Sequence, residues 1–344
     1  MSYRLLARML AGFGLCAALS ASAGPYSGLF VFGDSLSDSG NNALLLTPAY
    51  GGTLPTVVVA NDAFYSQLPS SAGTYSNGPV WTQYLAQSLG LTLLPSVAGG
   101  TNFAFGGAQT GMNGGDVPQI PGFPFSMRTQ LDIYLNGAGN IADPNALYVV
   151  AGGGNNVRVA LEAIAAGADA NATVGATVAN YAADMAGLVA SLKLAGAQHV
   201  LVMNTPNFGL TPLANAMGIG AEATALSFAM DAALAGALAG SGVKSFDMFS
   251  FLTATVAANE AAVALGNPPA FSNWTNACAA GINNCDLDTA LFWDAIHPTT
   301  LAHQQLANAV LAVAVPEPGA AAMLALGLAV IVLGARRRAR VQQG

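Results

Sequence analysis

Charge is scarce in this chain: Asp, Glu, Lys and Arg together supply 8% of its 344 residues, against 53% hydrophobic residues. So apolar a composition excludes intrinsic disorder, which requires low hydrophobicity and high net charge. Basic residues are scarcer still. Of the ten, Arg4 and Arg8 lie near the N-terminus and Arg336, Arg337, Arg338 and Arg340 near the C-terminus, leaving Arg128, Arg158, Lys193 and Lys244 between them. Those four stand against sixteen acidic residues, a balance of about −12 for the middle of the chain. Phosphate recognition needs clustered Lys and Arg, so nucleic acid and anionic membrane surfaces are excluded as partners of that middle part. Histidine occurs only as His199, His297 and His303, and cysteine only as Cys16, Cys278 and Cys285. What is abundant is glycine, at 40 residues, too many for a helical bundle and suited to an ordered, loop-rich globular domain.

Both ends read as addresses. Arg4 and Arg8 precede an apolar run from Met9 to Leu19 and the small residues Ala21-Ser22-Ala23, the three-part layout of a secretory signal peptide over residues 1–23. The competing reading of this segment is a buried N-terminal helix. Cys16 belongs to the segment and leaves with it. At the other end, Val315-Pro316-Glu317-Pro318 is followed by an uncharged stretch from Gly319 to Ala335 and by Arg336-Arg337-Arg338. That stretch is at the short limit for crossing a bilayer, and the arginines would keep its end cytoplasmic. A plain membrane anchor is the simpler reading. The three parts in this order resemble the PEP-CTERM sorting signal of Gram-negative bacteria, here residues 315–344. The resemblance implies transient passage through the inner membrane by a transmembrane helix, processing by an exosortase-type enzyme, and delivery to the cell surface or extracellular matrix. In an oxidising compartment, Cys278 and Cys285 most simply form a disulfide that staples one loop; metal binding would need more ligands than the segment offers.

Between residues 24 and 314, apolar runs lead into polar or glycine-rich turns. Leu29–Phe32 leads into Gly33-Asp34-Ser35, Leu147–Val150 into Gly152-Gly153-Gly154-Asn155, and Val200–Met203 into Asn204-Thr205-Pro206; a fourth run is Val243–Phe246. Uninterrupted apolar strands of this kind belong to a parallel sheet covered on both faces. Ala- and Leu-rich stretches predict helices over Val80–Leu89, Val174–Ala195, Ala221–Ala239 and Thr300–Val313. The alternation is that of an α/β, doubly wound domain, whose ligands bind beyond the carboxyl ends of the strands. Residues 41–76 and the stretch Val117–Phe125 read as long loops.

Few groups can move a proton at neutral pH. His199 precedes a strand and reads as a surface strand-start residue; His303 lies on the last helix, where a solvated or capping role is the default. His297 stands in Trp293-Asp294-Ala295-Ile296-His297-Pro298, a turn before a helix. A carboxylate three residues earlier can orient the imidazole so that its other nitrogen acts as a base. Ser35 follows a strand directly, where a turn exposes its hydroxyl and backbone N–H, although a helix-capping serine is an equal reading of this segment alone.

The block Phe32-Gly33-Asp34-Ser35-Leu36-Ser37-Asp38-Ser39-Gly40-Asn41 resembles the nucleophile block of the GDSL esterase/lipase family, also called SGNH hydrolases. Ser76 to Trp81, Asn102 to Ala108, Gly153 to Asn156, and Asp294 to His297 are similar to further family blocks in the family's order. The resemblance implies a three-layer α/β/α, flavodoxin-like fold around a mainly parallel five-stranded sheet. It implies cleavage of carboxylic esters, of a lipid or an acylated polymer, with no metal or organic cofactor. Ser35 would be the nucleophile, His297 the base and Asp294 its orienting partner. The oxyanion hole would use the N–H groups of Ser35 and Gly106 and the amide of Asn155, with Gly107 as the adjacent alternative to Gly106. Asn156 stands where the family usually has Asp. The apolar stretch around Ile120, Phe123 and Phe125 reads either as an acyl pocket or as core. Polysaccharide O-deacetylation by the same chemistry, and a noncatalytic matrix or adhesion protein on this fold, are the alternatives to lipid-type ester hydrolysis.

Overall fold

The computed structural model describes residues 25–115 and 117–315; the expected signal peptide and C-terminal sorting segment lie outside these residues. Four strands form one parallel sheet in the order β1 (Leu29–Gly33), β2 (Leu147–Ala151), β3 (His199–Met203) and β4 (Lys244–Phe246). Nine α-helices accompany them among the described residues. These are α1 (Asn41–Ala49), α2 (Trp81–Leu89), α3 (Met127–Gly137), α4 (Gly154–Ala165), α5 (Ala170–Leu194), α6 (Pro212–Ala216), α7 (Gly220–Ala237), α8 (Met248–Ala264) and α9 (Thr300–Ala314).

Side chains alternate across a strand, so adjacent residues enter different layers. Phe32, Val150 and Val202 pack with Met127, Leu131, Val157, Met185 and Met230, from α3, α4, α5 and α7. Their neighbours Val31, Val149 and Leu201 pack with Trp81, Leu85, Leu306 and Val310, from α2 and α9. The result is the expected three-layer α/β/α domain, and burial on both faces explains why β2 is apolar at every position.

The sheet has four strands where five were expected. The fifth place, beside β1, is held by the segment around Asn102, which makes only an isolated parallel bridge to Val31. Its backbone bonds (Val31 N–H to Thr101 O, Phe103 N–H to Val31 O, Phe105 N–H to Gly33 O) are strand-like. Asn102 spends its side chain on the Ala104 N–H and the Ser37 carbonyl, and the chain then breaks at Gly106-Gly107, so no regular strand develops.

The expected helices are present within a few residues of their expected ends. Residues 41–76 are not wholly loop, because α1 occupies the first nine. Its start is built by Asp38, whose carboxylate accepts the N–H groups of Gly40, Asn41 and Asn42 at 2.8, 2.7 and 3.2 Å. A carboxylate at the amino end of a helix satisfies donors that the helix itself leaves free. Cys278 and Cys285 are disulfide-bonded, with Cα atoms 5.4 Å apart. Among the described residues no helix is long and apolar enough to cross a membrane.

Candidate active site

The turns after β1 and β2 and the loop before α9 meet at the carboxyl edge of the sheet. After β1 the chain reverses tightly, with the Ser37 and Asp38 N–H groups bonded to the Asp34 carbonyl and the Leu36 N–H to Asp34 Oδ1. Ser35 sits at the tip of this turn. The base of the turn is clamped by Gln130, whose amide both accepts from the Gly33 N–H and donates to its carbonyl at 2.8 Å.

The Ser35 Oγ lies 2.8 Å from His297 Nε2, and His297 Nδ1 lies 2.7 Å from Asp294 Oδ2. All three residues are buried. Asp294 is ringed by donors: Oδ2 also accepts the Ser66 N–H at 2.7 Å, and Oδ1 accepts the Ile296 and His297 N–H groups. A carboxylate can only accept here, so Nδ1 carries the imidazole proton and Nε2 turns a lone pair toward the serine hydroxyl. That arrangement can take a proton from Ser35 and return it to another oxygen.

The loop carrying His297 is tied down by the block from Ser76 to Trp81. Ser76 Oγ donates to the Pro298 carbonyl, Asn77 Oδ1 accepts from the Thr300 N–H, and Trp81 Nε1 donates to Ser37 Oγ. The Tyr75 ring lies against the imidazole, 5.1 Å between centroids. These contacts join the serine turn and the histidine loop into one body.

The donors around Ser35 differ from the expectation at one glycine. Gly106 is fixed by packing, since a Cβ there would lie 2.2 Å from the Tyr75 ring, and its N–H is bonded to Asp38 Oδ2 at 3.2 Å and Asn42 Oδ1 at 3.1 Å. It is therefore spent on the protein. The Gly107 N–H and the Ser35 N–H have no acceptor among the described residues, and both residues line the same cleft. Asn155 is the second residue of α4, which follows Gly153; that glycine has φ 126° and would meet Thr205 Oγ1 at 2.2 Å if it bore a Cβ. One Asn155 amide hydrogen goes to the Ala108 carbonyl at 3.0 Å, and Arg158 holds Oδ1 at 3.4 Å. The second amide hydrogen has no acceptor among the described residues.

Asn156 has a local reason. Thr110 Oγ1 donates to Asp184, so the Asn156 bond to it at 3.0 Å must come from an amide N–H, while Asn156 Oδ1 accepts the Thr110 N–H. An ionised Asp would lack that donor. Asp34 and Asp38 are both pushed up to about 6 by burial, against the pull of the backbone N–H groups they accept. His303 is not solvated as expected: it is fully buried and lines a second cavity that reaches Ser35 and His297. His199 does begin β3 and stands edge-on to Tyr26, as a strand-start residue should.

Ser35, Gly107, Asn155 and His297 line a cleft of about 700 Å³. Phe123 reaches it, but Phe123 also packs with Phe105 and Phe125, and Ile120 and Phe125 lie in the hydrophobic cluster behind. Asp38, Asn42, Gln130, Ser66 and Arg158 were not singled out from the sequence as parts of the site. Asp38 left one signal, an acidic residue three positions before a helix start.

The model of the GDSL-like lipase/acylhydrolase family matches residues 29–310. The chain belongs to this family. A PEP-CTERM protein-sorting motif matches residues 314–338. Among curated relatives, Lipase 1 of Photorhabdus luminescens is 33% identical over 192 residues, covering 56% of this chain and 24% of the lipase. Acetylajmalan esterase 2 of Rauvolfia serpentina is 32% identical over 158 residues, covering 38% of this chain and 41% of the esterase. These matches span less than half the length of either relative. Among solved structures, the native M. smegmatis aryl esterase aligns with 83% of this chain and 98% of its own at 15% identity and a TM-score of 0.42.

Proposed function

We propose that this member of the GDSL-like family is an exported serine hydrolase of carboxylic esters, with Ser35, His297 and Asp294 as its catalytic triad. The observation that carries the reading is the 2.8 Å contact between Ser35 Oγ and His297 Nε2, made across 262 residues of chain. Ser35 Oγ bonds to the ester carbonyl carbon as its proton passes to Nε2. The carbonyl oxygen becomes an oxyanion, held by the N–H groups of Ser35 and Gly107 and by the free Asn155 amide hydrogen. Preorganised donors of this kind each contribute on the order of 10²–10³ in rate. Gly107 takes the place first given to Gly106, whose N–H already has two acceptors. The bond to the alcohol then breaks, and the alcohol oxygen takes the proton from His297. Water attacks the acyl-enzyme, gives a proton to Nε2, and releases the acid as Ser35 regains its own.

The Ser35→Ala variant of the purified protein, assayed on short-chain aryl esters, should lose hydrolysis; an unchanged rate refutes the proposal. The substrate is an acylated lipid or polymer. Gln67, Gln109, Arg158 and Glu162 line the wide cleft, and this polar lining favours the second reading, removal of acyl groups from a polysaccharide. For the whole chain, residues 1–23 direct export, residues 24–314 form the hydrolase domain, and residues 315–344 are sorted through the inner membrane and cut by an exosortase-type enzyme. The destination is the cell surface or extracellular matrix of a Gram-negative bacterium. Deleting residues 315–344 should release the hydrolase from the surface, and retention there would contradict the assignment.

A further inference from the structure

A separate cavity of about 510 Å³ lies beside the catalytic cleft and shares no lining residue with it. Its walls come from Asp62, from α6 and α8, and from the loop that carries Trp274. One short segment divides the two: Asp62 lines this cavity, and Phe64, Tyr65 and Ser66 line the cleft. That segment and α6 flank the His297 loop, since Ala295 donates its N–H to the Phe64 carbonyl and accepts the Leu213 N–H. Two residues of chain span at most about 7 Å, so an elongated ligand can reach from one cavity to the other.

The Trp274 loop is held in shape by the protein itself. Asn273 Oδ1 accepts the N–H groups of Thr275 and Asn276 at 3.1 and 3.0 Å, and Asp62 Oδ1 accepts the Ala277 N–H at 2.7 Å and the Asn283 amide at 2.6 Å. The Cys278–Cys285 disulfide closes the stretch that follows. Trp274 is half-buried, packed against the cluster of Val256 and Phe271. Its indole N–H, Asp62 Oδ2 and the side chains of Asn215, Glu260 and Asn276 make no hydrogen bond to the described residues. Groups from four separate parts of the chain are thus brought to one cavity beside one aromatic ring.

No Lys or Arg is among the lining residues and two carboxylates are, so phosphate, sulfate and carboxylate groups are repelled. A single aromatic ring is not the cage that a quaternary ammonium requires. A neutral sugar ring suits what is there. Its C–H face leaves water against an indole, and its hydroxyls donate to carboxylate oxygens and accept from amide and indole N–H groups. We infer that this cavity binds a neutral sugar unit of a polysaccharide and anchors the polymer while another of its units lies in the catalytic cleft. The link to hydrolysis rests on the polysaccharide reading and on Ser35 as nucleophile; the binding itself needs neither.

Binding is measured first, by affinity electrophoresis of the Ser35→Ala protein in gels containing soluble dextran, xylan, mannan, galactan or alginate. At least one of the four neutral polymers should retard it, and the acidic alginate should not. Trp274→Ala should weaken that retardation roughly tenfold or more, whereas Trp274→Tyr, which keeps a ring with a polar end, should retain most of it. The double variant Asn215→Ala/Glu260→Ala changes two exposed side chains and makes the same comparison if Trp274→Ala does not fold. With Ser35 restored, Trp274→Ala should raise KM for the acetylated form of the bound polymer and leave kcat/KM for p-nitrophenyl acetate within about twofold of the wild type. Retardation by none of the neutral polymers, or retardation unchanged in a folded Trp274→Ala protein, overturns the sugar site. An equal loss on the small ester and the polymer also overturns it, because Trp274 then acts through the fold. Binding without deacetylation by the wild type refutes the polysaccharide reading instead, and hydrolysis that persists in Ser35→Ala refutes the nucleophile assignment; both leave the sugar site standing.

Discussion

Replacing Asp294 by Asn exchanges a side chain that only accepts for one that must also donate, at a position where every partner is a donor. Oδ2 takes His297 Nδ1 and the Ser66 N–H, both at 2.7 Å; Oδ1 takes the N–H groups of Ile296 at 2.9 Å and His297 at 2.7 Å. An amide has one acceptor atom, so either way round its NH₂ opposes two donors. Turned toward Ile296 and His297, it leaves the buried His297 N–H without an acceptor, a cost of about 1–3 kcal/mol, and the half-buried Ile296 N–H with it. Turned toward the imidazole, it strips the Ser66 N–H of its acceptor and forces Nδ1 to accept. The ring proton then moves to Nε2, and Ser35 faces a hydrogen where it had faced a lone pair. A base held in the wrong tautomer costs about 10⁴-fold in kcat, or about 5.5 kcal/mol at 1.36 kcal/mol per tenfold. Steady-state hydrolysis of a short aryl ester, measured with the melting transition of the same preparation, checks both parts. Turnover within about tenfold of the wild type in a natively folded Asp294→Asn protein would mean that Asp294 does not set the imidazole tautomer.

Two further outcomes follow from the same geometry. Asn155→Ala should lower turnover by roughly two to three orders of magnitude with the fold intact; a normal rate removes Asn155 from the oxyanion site. Asp231 is pushed up to about 8, chiefly by burial, and its Oδ2 has no partner among the described residues. Its raised pKa means that the folded protein keeps a proton the unfolded chain loses near the ordinary value of 3.8, so stability falls as pH rises from about 4 to about 8. Asp34 and Asp38 act in the same sense up to about 6. Asp231→Asn should therefore gain melting temperature relative to the wild type at pH 8 and differ little near pH 4; a variant less stable than the wild type at pH 8 contradicts this.

The sheet was legible because β1, β2 and β3 are apolar runs ending in polar turns, and those turns hold Ser35 and Asn155. The meeting of Ser35, His297 and Asp294 was legible because Asp294 and His297 share one turn and the motif blocks fall in order. Several features depend on partners far along the chain and leave no local trace. The Asn102 segment holds the place of the fifth strand but has its side chain tied to the serine turn. Helix α1 is the exception, because Asp38, which caps it, lies only three residues before its start. The Gly106 N–H is taken by Asp38 and Asn42, whose side chains reach across more than sixty residues to it. His303 sits on a helix of ordinary amphipathic character, and nothing in its own stretch of sequence marks it as fully buried.

In the proposed mechanism the imidazole near the end of the chain activates the hydroxyl near its beginning. Reaction with an alkyl fluorophosphonate, followed by peptide mass spectrometry, tests it most directly. One adduct should form, on the peptide containing Ser35, and it should disappear in His297→Ala. Labelling that spares Ser35, or that proceeds at the same rate without His297, would contradict it.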